Sequence, residues 1–158
     1  MTKKTIPSTE KKDLGLNDRF RLTLPDSWKD RTIHYFVGPE DGGVQHILNL
    51  TIDQETETDN LADYVRDHLE QIVSTMPSAE ILSEKKKVLS GGGEVCRAVY
   101  KWLTPDGRSV YQKLVYLKRG EVIYSFSANF SEKTLKTIGP DVDRIISSFK
   151  PDKRKGKE

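Results

Sequence analysis

Cysteine is almost absent from this 158-residue chain: Cys96 stands alone, so no disulfide framework can hold the fold. With only 11 glycines and 7 prolines, the composition excludes a collagen-like chain. No apolar run approaches the ~18–20 residues that a membrane-spanning helix requires. The opening MTKKTIPSTEKK has lysines but no apolar segment behind them, which does not fit a secretion signal. No glycine follows Met1 for myristoylation, and no prenylation cysteine stands at the C-terminus. A dominant charge is missing too, since 26 basic and 24 acidic residues leave +2, with no bulk attraction for nucleic acid. The expectation is a soluble, cytoplasmic protein of a reducing compartment.

What is present is length for one domain with one core, at 35% hydrophobic and 32% charged residues. The charge is unevenly placed: residues 1–12 and 150–158 each sum to +3, which leaves the body at −4. Neither end carries apolar periodicity. Residues 1–17 and 151–158 therefore read as basic flexible tails around a domain at 18–150.

Within that domain, Phe20, Leu22 and Leu24 alternate with polar residues, the period of a half-buried strand, and Pro25 ends it. Further strands are predicted at 32–37, closed by Gly38-Pro39, and at 45–53, where Leu48, Leu50 and Ile52 share one face. A helix is predicted over 60–75 from Leu61, Val65, Leu69, Ile72 and Met76, with Asp59 or Asn60 as cap and Pro77 beyond. Strands at 80–88, 94–102, 109–117 and 121–130 follow. The turns at Pro105-Asp106-Gly107 and Arg119-Gly120 are short enough to imply antiparallel hairpins. A closing helical pattern (Leu135, Ile138, Val142, Ile145, Phe149) is interrupted at Gly139-Pro140, where a helix begins afresh. The order predicts an α+β fold: a single antiparallel sheet flanked by helices, with Phe20, Leu22, Leu48, Leu50, Leu69 and Phe126 buried.

Motifs of chemistry are scarce. His34, His46 and His68 lack metal-ligand spacing, and Cys96 sits in a strand beside Ala98 and Tyr100 as a small hydrophobe would. Gly91-Gly92-Gly93 precedes Glu94 and a strand, not the lysine and helix of a phosphate loop. The alternating acids from Asp53 to Asp59 have Thr58 and Tyr64 where a calcium loop needs glycine and glutamate. The expectation is no enzyme, no metal and no cofactor.

The first helix carries the most informative pattern. His68, Ile72 and Met76 form one ridge at i, i+4 and i+8, and the apolar arc is roughly 140° wide, more than one sheet contact requires. Two readings stand: His68 caps the core edge with its polar tip in water, or the ridge faces a binding groove.

The segments FRLTLPDSWKDRTIHYF (20–36), LADYVRDHLEQI (61–72) and IISSFKP (145–151) resemble the DcrB-related family, which has a Mog/PsbP-like fold. The LP-x-x-W turn followed by D-x-[ST]-I is the most specific part, and the resemblance spans about residues 18–151. Secreted members carry targeting segments, so the branch this chain resembles is the cytosolic effector-associated (Eag) chaperones of type VI secretion. That resemblance implies a homodimer that shields the N-terminal transmembrane helices of an effector; the mildly acidic body leads us to expect no nucleic-acid partner, and the lack of a long apolar run no membrane insertion. By position it implies a binding groove of Ile33, Tyr35, Ile47, Asn49, His68, Ile72, Met76 and Gln112, with His68 where the branch tends to carry glutamine. The alternatives on the same fold are a small-ligand carrier and a regulatory protein-binding module.

Overall fold

The structure is a computed structural model that describes residues 12–13, 22–41, 43–54, 60–89 and 93–151. It forms two compact units, Met1–Thr32 and Ile33–Glu158. In the first, β1 (Lys12–Asp13) and β2 (Thr23–Leu24) make a two-residue antiparallel ladder. The Trp28 N–H donates to the Pro25 carbonyl at 3.0 Å and closes the LPDSW turn. Of the strand predicted at 20–24, Thr23–Leu24 forms β2 and Leu22 stands outside it, 47% exposed rather than buried, while Phe20 and Arg21 lie outside the described residues. Among the described residues Thr23–Leu24 pairs only with β1, and Pro25 has no N–H to lengthen the ladder. Phe20, most of the predicted tails at 1–17 and 151–158, Asp59, and Gly91-Gly92 lie outside the described residues.

The second unit runs β3 (Ile33–Asp41), β4 (Val44–Asp53), α1 (Leu61–Thr75), β5 (Glu80–Val88), β6 (Glu94–Leu103), β7 (Ser109–Arg119), β8 (Val122–Phe130), α2 (Glu132–Thr137) and α3 (Gly139–Ser147). The strands form one antiparallel sheet in the order β3-β4-β8-β7-β6-β5. β3 passes through Gly38-Pro39, where its predecessor segment was expected to stop, because a bulge between Val37 and Glu40 absorbs the proline. The turn at Pro105-Asp106-Gly107 forms as its sequence requires, with Gly107 at φ +89° and its N–H on the Thr104 carbonyl at 2.9 Å.

α1 starts on Asn60, whose side chain accepts from the Asp63 N–H at 2.8 Å, and the Met76 N–H closes its end on the Ile72 carbonyl. α2 starts on a capping box between Ser131 and Thr134, and Pro140 occupies the first turn of α3.

Side chains alternate between the two faces of a strand, so the sheet carries two cores. On one face Leu48, Leu50, Val115, Phe126, Ala128 and Phe130 pack under Ile138 of the α2–α3 junction and Val142 of α3. On the other, Leu61, Val65 and Leu69 of α1 cover Cys96, Ala98, Tyr100, Leu114, Tyr116 and Ile123. Leu48, Leu50, Leu69 and Phe126 are buried as their periodicity predicts.

Candidate functional site: the open half of the α1 face

The register sets out the α1 face in rows that run across the sheet. One row is Ile33–Thr51–Ser125–Tyr116–Cys96, and the next is Tyr35–Asn49–Ser127–Leu114–Ala98. Val37 pairs with Ile47 in a third, and Gln112 lies between Asn129 and Tyr100. α1 contacts β5, β6 and β7, and so covers only the far end of each row. Ile123 at the start of β8 lies at the edge of this cover, and among the described residues no helix packs on β3 or on the Asn49 and Ser127 positions of β4 and β8 on this face.

Ile33, Tyr35, Ile47, Asn49 and Gln112 occupy the sheet rows of this face, and His68, Ile72 and Met76 come from the helix that packs on it. Ile33 and Tyr35 are 57% and 61% exposed. Ile72 and Met76 are half-buried and pack against the α1 core cluster, so they serve the core as well as the ridge. His68 is half-buried, with Nδ1 hydrogen-bonded to the Tyr116 hydroxyl at 2.5 Å and its ring edge-on to that of Tyr116. Burial holds the His68 imidazole below its usual value and pushes the Tyr116 phenol up, so both are neutral at pH 7.

Three further residues belong to the site and were not singled out by sequence: Val37, Tyr64 and Ser127. Val37 is 61% exposed on the rim. Tyr64 packs edge-on against Tyr116, and its hydroxyl donates to Asp53 Oδ2 at 3.3 Å, which closes one end of the helix wall. Ser127 Oγ accepts from Gln112 Nε2 at 3.0 Å. The alternation in β3 and β8 was a signal for Val37 and Ser127, but only the strand order shows that they share a face with α1.

The floor is polar and mostly self-satisfied. Asn129 Oδ1 accepts from the Ile47 N–H at 3.1 Å, and Asn129 Nδ2 donates to the Gln45 carbonyl. Asn49 differs, because its Oδ1 is buried with no donor among the described residues. Such an acceptor costs about 1–3 kcal/mol until a donor reaches it.

The site's dimensions can be derived. Strands lie ~4.8 Å apart, so three open strands give a floor ~10 Å across between the outer strand axes. One α-helix is ~10 Å wide and packs 8–10 Å from a neighbour. The open half therefore has room for one helix beside α1.

The opposite face also leaves a quarter of the sheet open, over β5 and β6, but there the side chains are Lys85, Lys87, Arg97 and Lys101. That is an ordinary solvated surface. Leu103, 47% exposed, adds an apolar side chain there, whereas the open rim of the α1 face presents three, Ile33, Tyr35 and Val37.

A separate apolar cleft of about 280 Å³ lies between α3 and the β3 edge, lined by Phe36, Leu48, Ala128, Phe130, Val142 and Ile145 among others. His46 sits at its base with both ring nitrogens engaged, by the Pro39 carbonyl and Thr134 Oγ1, each at 2.8 Å. The three histidines thus occupy different places: His34 on β3, His46 under α2 and His68 on α1.

The DcrB family profile matches residues 21–148. The chain belongs to the DcrB family. Two solved structures share the fold. PA94 from Pseudomonas aeruginosa, a protein of unknown function described as a candidate regulator, aligns over 92% of this chain and 100% of its own, with a TM-score of 0.76 and 19% identity. CyanoP, the cyanobacterial PsbP of Synechocystis sp. PCC 6803, aligns over 94% of this chain and 95% of its own, with a TM-score of 0.53 and 13% identity. The DcrB fold of this chain is therefore PsbP-like. No curated protein matches the sequence. Among the described residues, no helix is long and apolar enough to cross a membrane.

Proposed function

We propose that this DcrB-family chain is a cytoplasmic chaperone or adaptor that seats an apolar helix on the open half of the α1 face. The observation that carries this reading is the match between that opening and the width of one helix. It is rimmed by Ile33, Tyr35 and Val37 and flanked by His68 and Tyr64. The client class that the sequence resemblance implies is the N-terminal transmembrane helices of an effector, as bound by Eag-type chaperones of type VI secretion. Such helices associate in the membrane through small residues and interhelical hydrogen bonds, and a polar floor with apolar rims offers the same mixture. The half-buried Asn49 carboxamide would turn its donorless Oδ1 toward a hydroxyl or amide on the client. Covering ~400 Å² of apolar surface gives a gross ~10 kcal/mol before ordering costs. The chain works by binding, not catalysis.

A small-ligand carrier would use the cleft under α3, but Phe36 and Ile145 there are each 53% exposed, which leaves the cleft open at the sheet edge.

The test is capture of a tagged, aggregation-prone transmembrane segment, with circular dichroism of each variant. Thr51→Glu sets a charge on the floor and should abolish capture while the fold persists. His68→Ala should weaken capture less, because it removes a polar contact and leaves the burial. Retention of the segment by folded Thr51→Glu would reject the groove.

A further inference from the structure

The two edges of the sheet are unlike. β5 carries Glu84, Lys85, Lys86 and Lys87 through its middle, a run that resists edge-to-edge pairing. β3 has no such guard before its bulge, and Asn129 shows which way the backbone beside it turns. Asn129 Oδ1 accepts from the Ile47 N–H and Nδ2 donates to the Gln45 carbonyl, so the odd-numbered residues of β4 turn toward β8. The even-numbered ones turn toward β3, because an antiparallel residue directs both its N–H and its C=O to one neighbour and the direction alternates. His34 and Phe36, opposite Leu50 and Leu48, therefore bond β4. Ile33, Tyr35 and Val37 turn theirs to the outer edge, where no described residue meets them.

The apolar cleft between α3 and β3 opens at this same edge. Phe36 is part of its wall, and the next β3 residue in that wall on the same side is Gly38. Gly38 leaves a notch, since a Cβ built there would meet only His46, at 3.6 Å or more. The cleft holds about 280 Å³. A cavity of ~150 Å³ already takes a benzene ring, so there is room for a leucine or phenylalanine side chain.

We propose that β3 docks an extended segment of a partner protein, added antiparallel along Ile33–Val37 with one apolar side chain anchored in the cleft. Open main-chain groups at every second residue are satisfied by a strand, and a pocket beside them selects the side chain. A helix has no main-chain groups left to offer. Partner residues opposite Ile33, Tyr35 and Val37 lie on the α1 side, where β-branched side chains suit the rim. The residue before the one opposite Val37 comes level with Gly38 and enters the notch. Glu40 and Asp41 stand exposed just beyond, and Asp141 lines the cleft in a pair with Arg144. The segment therefore carries lysine or arginine ahead of its anchor. This inference does not rest on what the α1 face binds.

The probe is a fluorescein-labelled peptide, KKLVTVTI, titrated with the full chain and followed by fluorescence anisotropy. Saturable binding is expected. N-methylation of its second valine, opposite Tyr35, removes a main-chain donor and should weaken binding about tenfold or more. Gly38→Val fills the notch and should abolish binding with unchanged circular dichroism. Ile145→Glu, 53% exposed on the facing wall of the cleft, should do the same. Thr51→Glu should leave the peptide bound, so this site and the helix groove can each fail alone. Absence of saturable binding, indifference to N-methylation, or binding retained by both folded cleft variants would overturn the proposal. So would a second copy seated on this edge, seen by analytical ultracentrifugation as a dimer that excludes the peptide.

Discussion

His68 and Tyr116 share one hydrogen bond, and their titration follows from where that bond sits. Burial lowers the His68 pKa from 6.5, so below that value the unfolded chain takes up a proton that the folded chain resists. The contribution of His68 is full above pH ~6.5 and is lost as pH falls through the unfolded value toward the lower folded one. Urea midpoints at pH 7.5, 6.5 and 5.5 should therefore decline toward acid, and His68→Gln should flatten that part of the decline. Asn49 is the other residue whose chemistry is unfinished. Replacing it by leucine removes a buried acceptor without a donor, so Asn49→Leu should raise the stability of the free protein by about 1 kcal/mol. The same change should weaken capture of a helix. A variant that gains in urea and loses in binding would mark Asn49 as kept for a partner.

At the scale of elements, α2 is held by one residue more than by its length. Thr134 is fully buried, completes the capping box with Ser131, and meets His46 Nε2. Thr134→Val keeps the volume but strands the His46 ring nitrogen and breaks the cap, and should cost about 1–3 kcal/mol by chemical denaturation. α1 answers differently. Ile72 packs on the core cluster, so Ile72→Glu should lower the melting temperature by several degrees and not merely block binding. The periodicities of α1 and of β4 through β8 were legible in the sequence because each buries one face against a single layer. The opening beside α1 was legible only as an excess of apolar arc, since a helix pattern cannot say how many strands it leaves uncovered. Leu22 misled for a related reason: alternation marks a strand's two faces but not whether a neighbour covers either. β3 misled at Gly38-Pro39, where a stop signal became a bulge because β4 pairs again beyond it at Glu40 and Asp41.

For the whole molecule, the cover is diagonal: α1 lies over β5, β6 and β7 on one face, and α2 and α3 lie over β7 and β8 on the other. One open quarter is lysine- and arginine-rich and the other is rimmed by isoleucine, tyrosine and valine, so docking on the second removes more water-exposed apolar surface. Hydrogen exchange should show this as a gradient, with amides of β7 and β8 protected longest and those of the edge strands β3 and β5, each with one strand neighbour in the sheet, exchanging first. Adding the helical client should slow exchange in β3 and β4 and leave β5 unchanged.

The strand order also governs how quickly the chain can find this fold. β5 through β8 form a meander of adjacent hairpins, whereas β4 meets β8 across a separation of 70 positions, from Asp53 to Ile123. Loop closure of that length must precede any reward from the Leu50–Phe126 pair, so the β3–β4 hairpin joins late. Leu50→Ala should then act chiefly on the unfolding limb of a stopped-flow chevron, and Leu114→Ala, inside the meander, on the refolding limb. Until that hairpin arrives, β8 is the border of the nascent sheet, and the seat beside α1 is the last part of the protein to come into being.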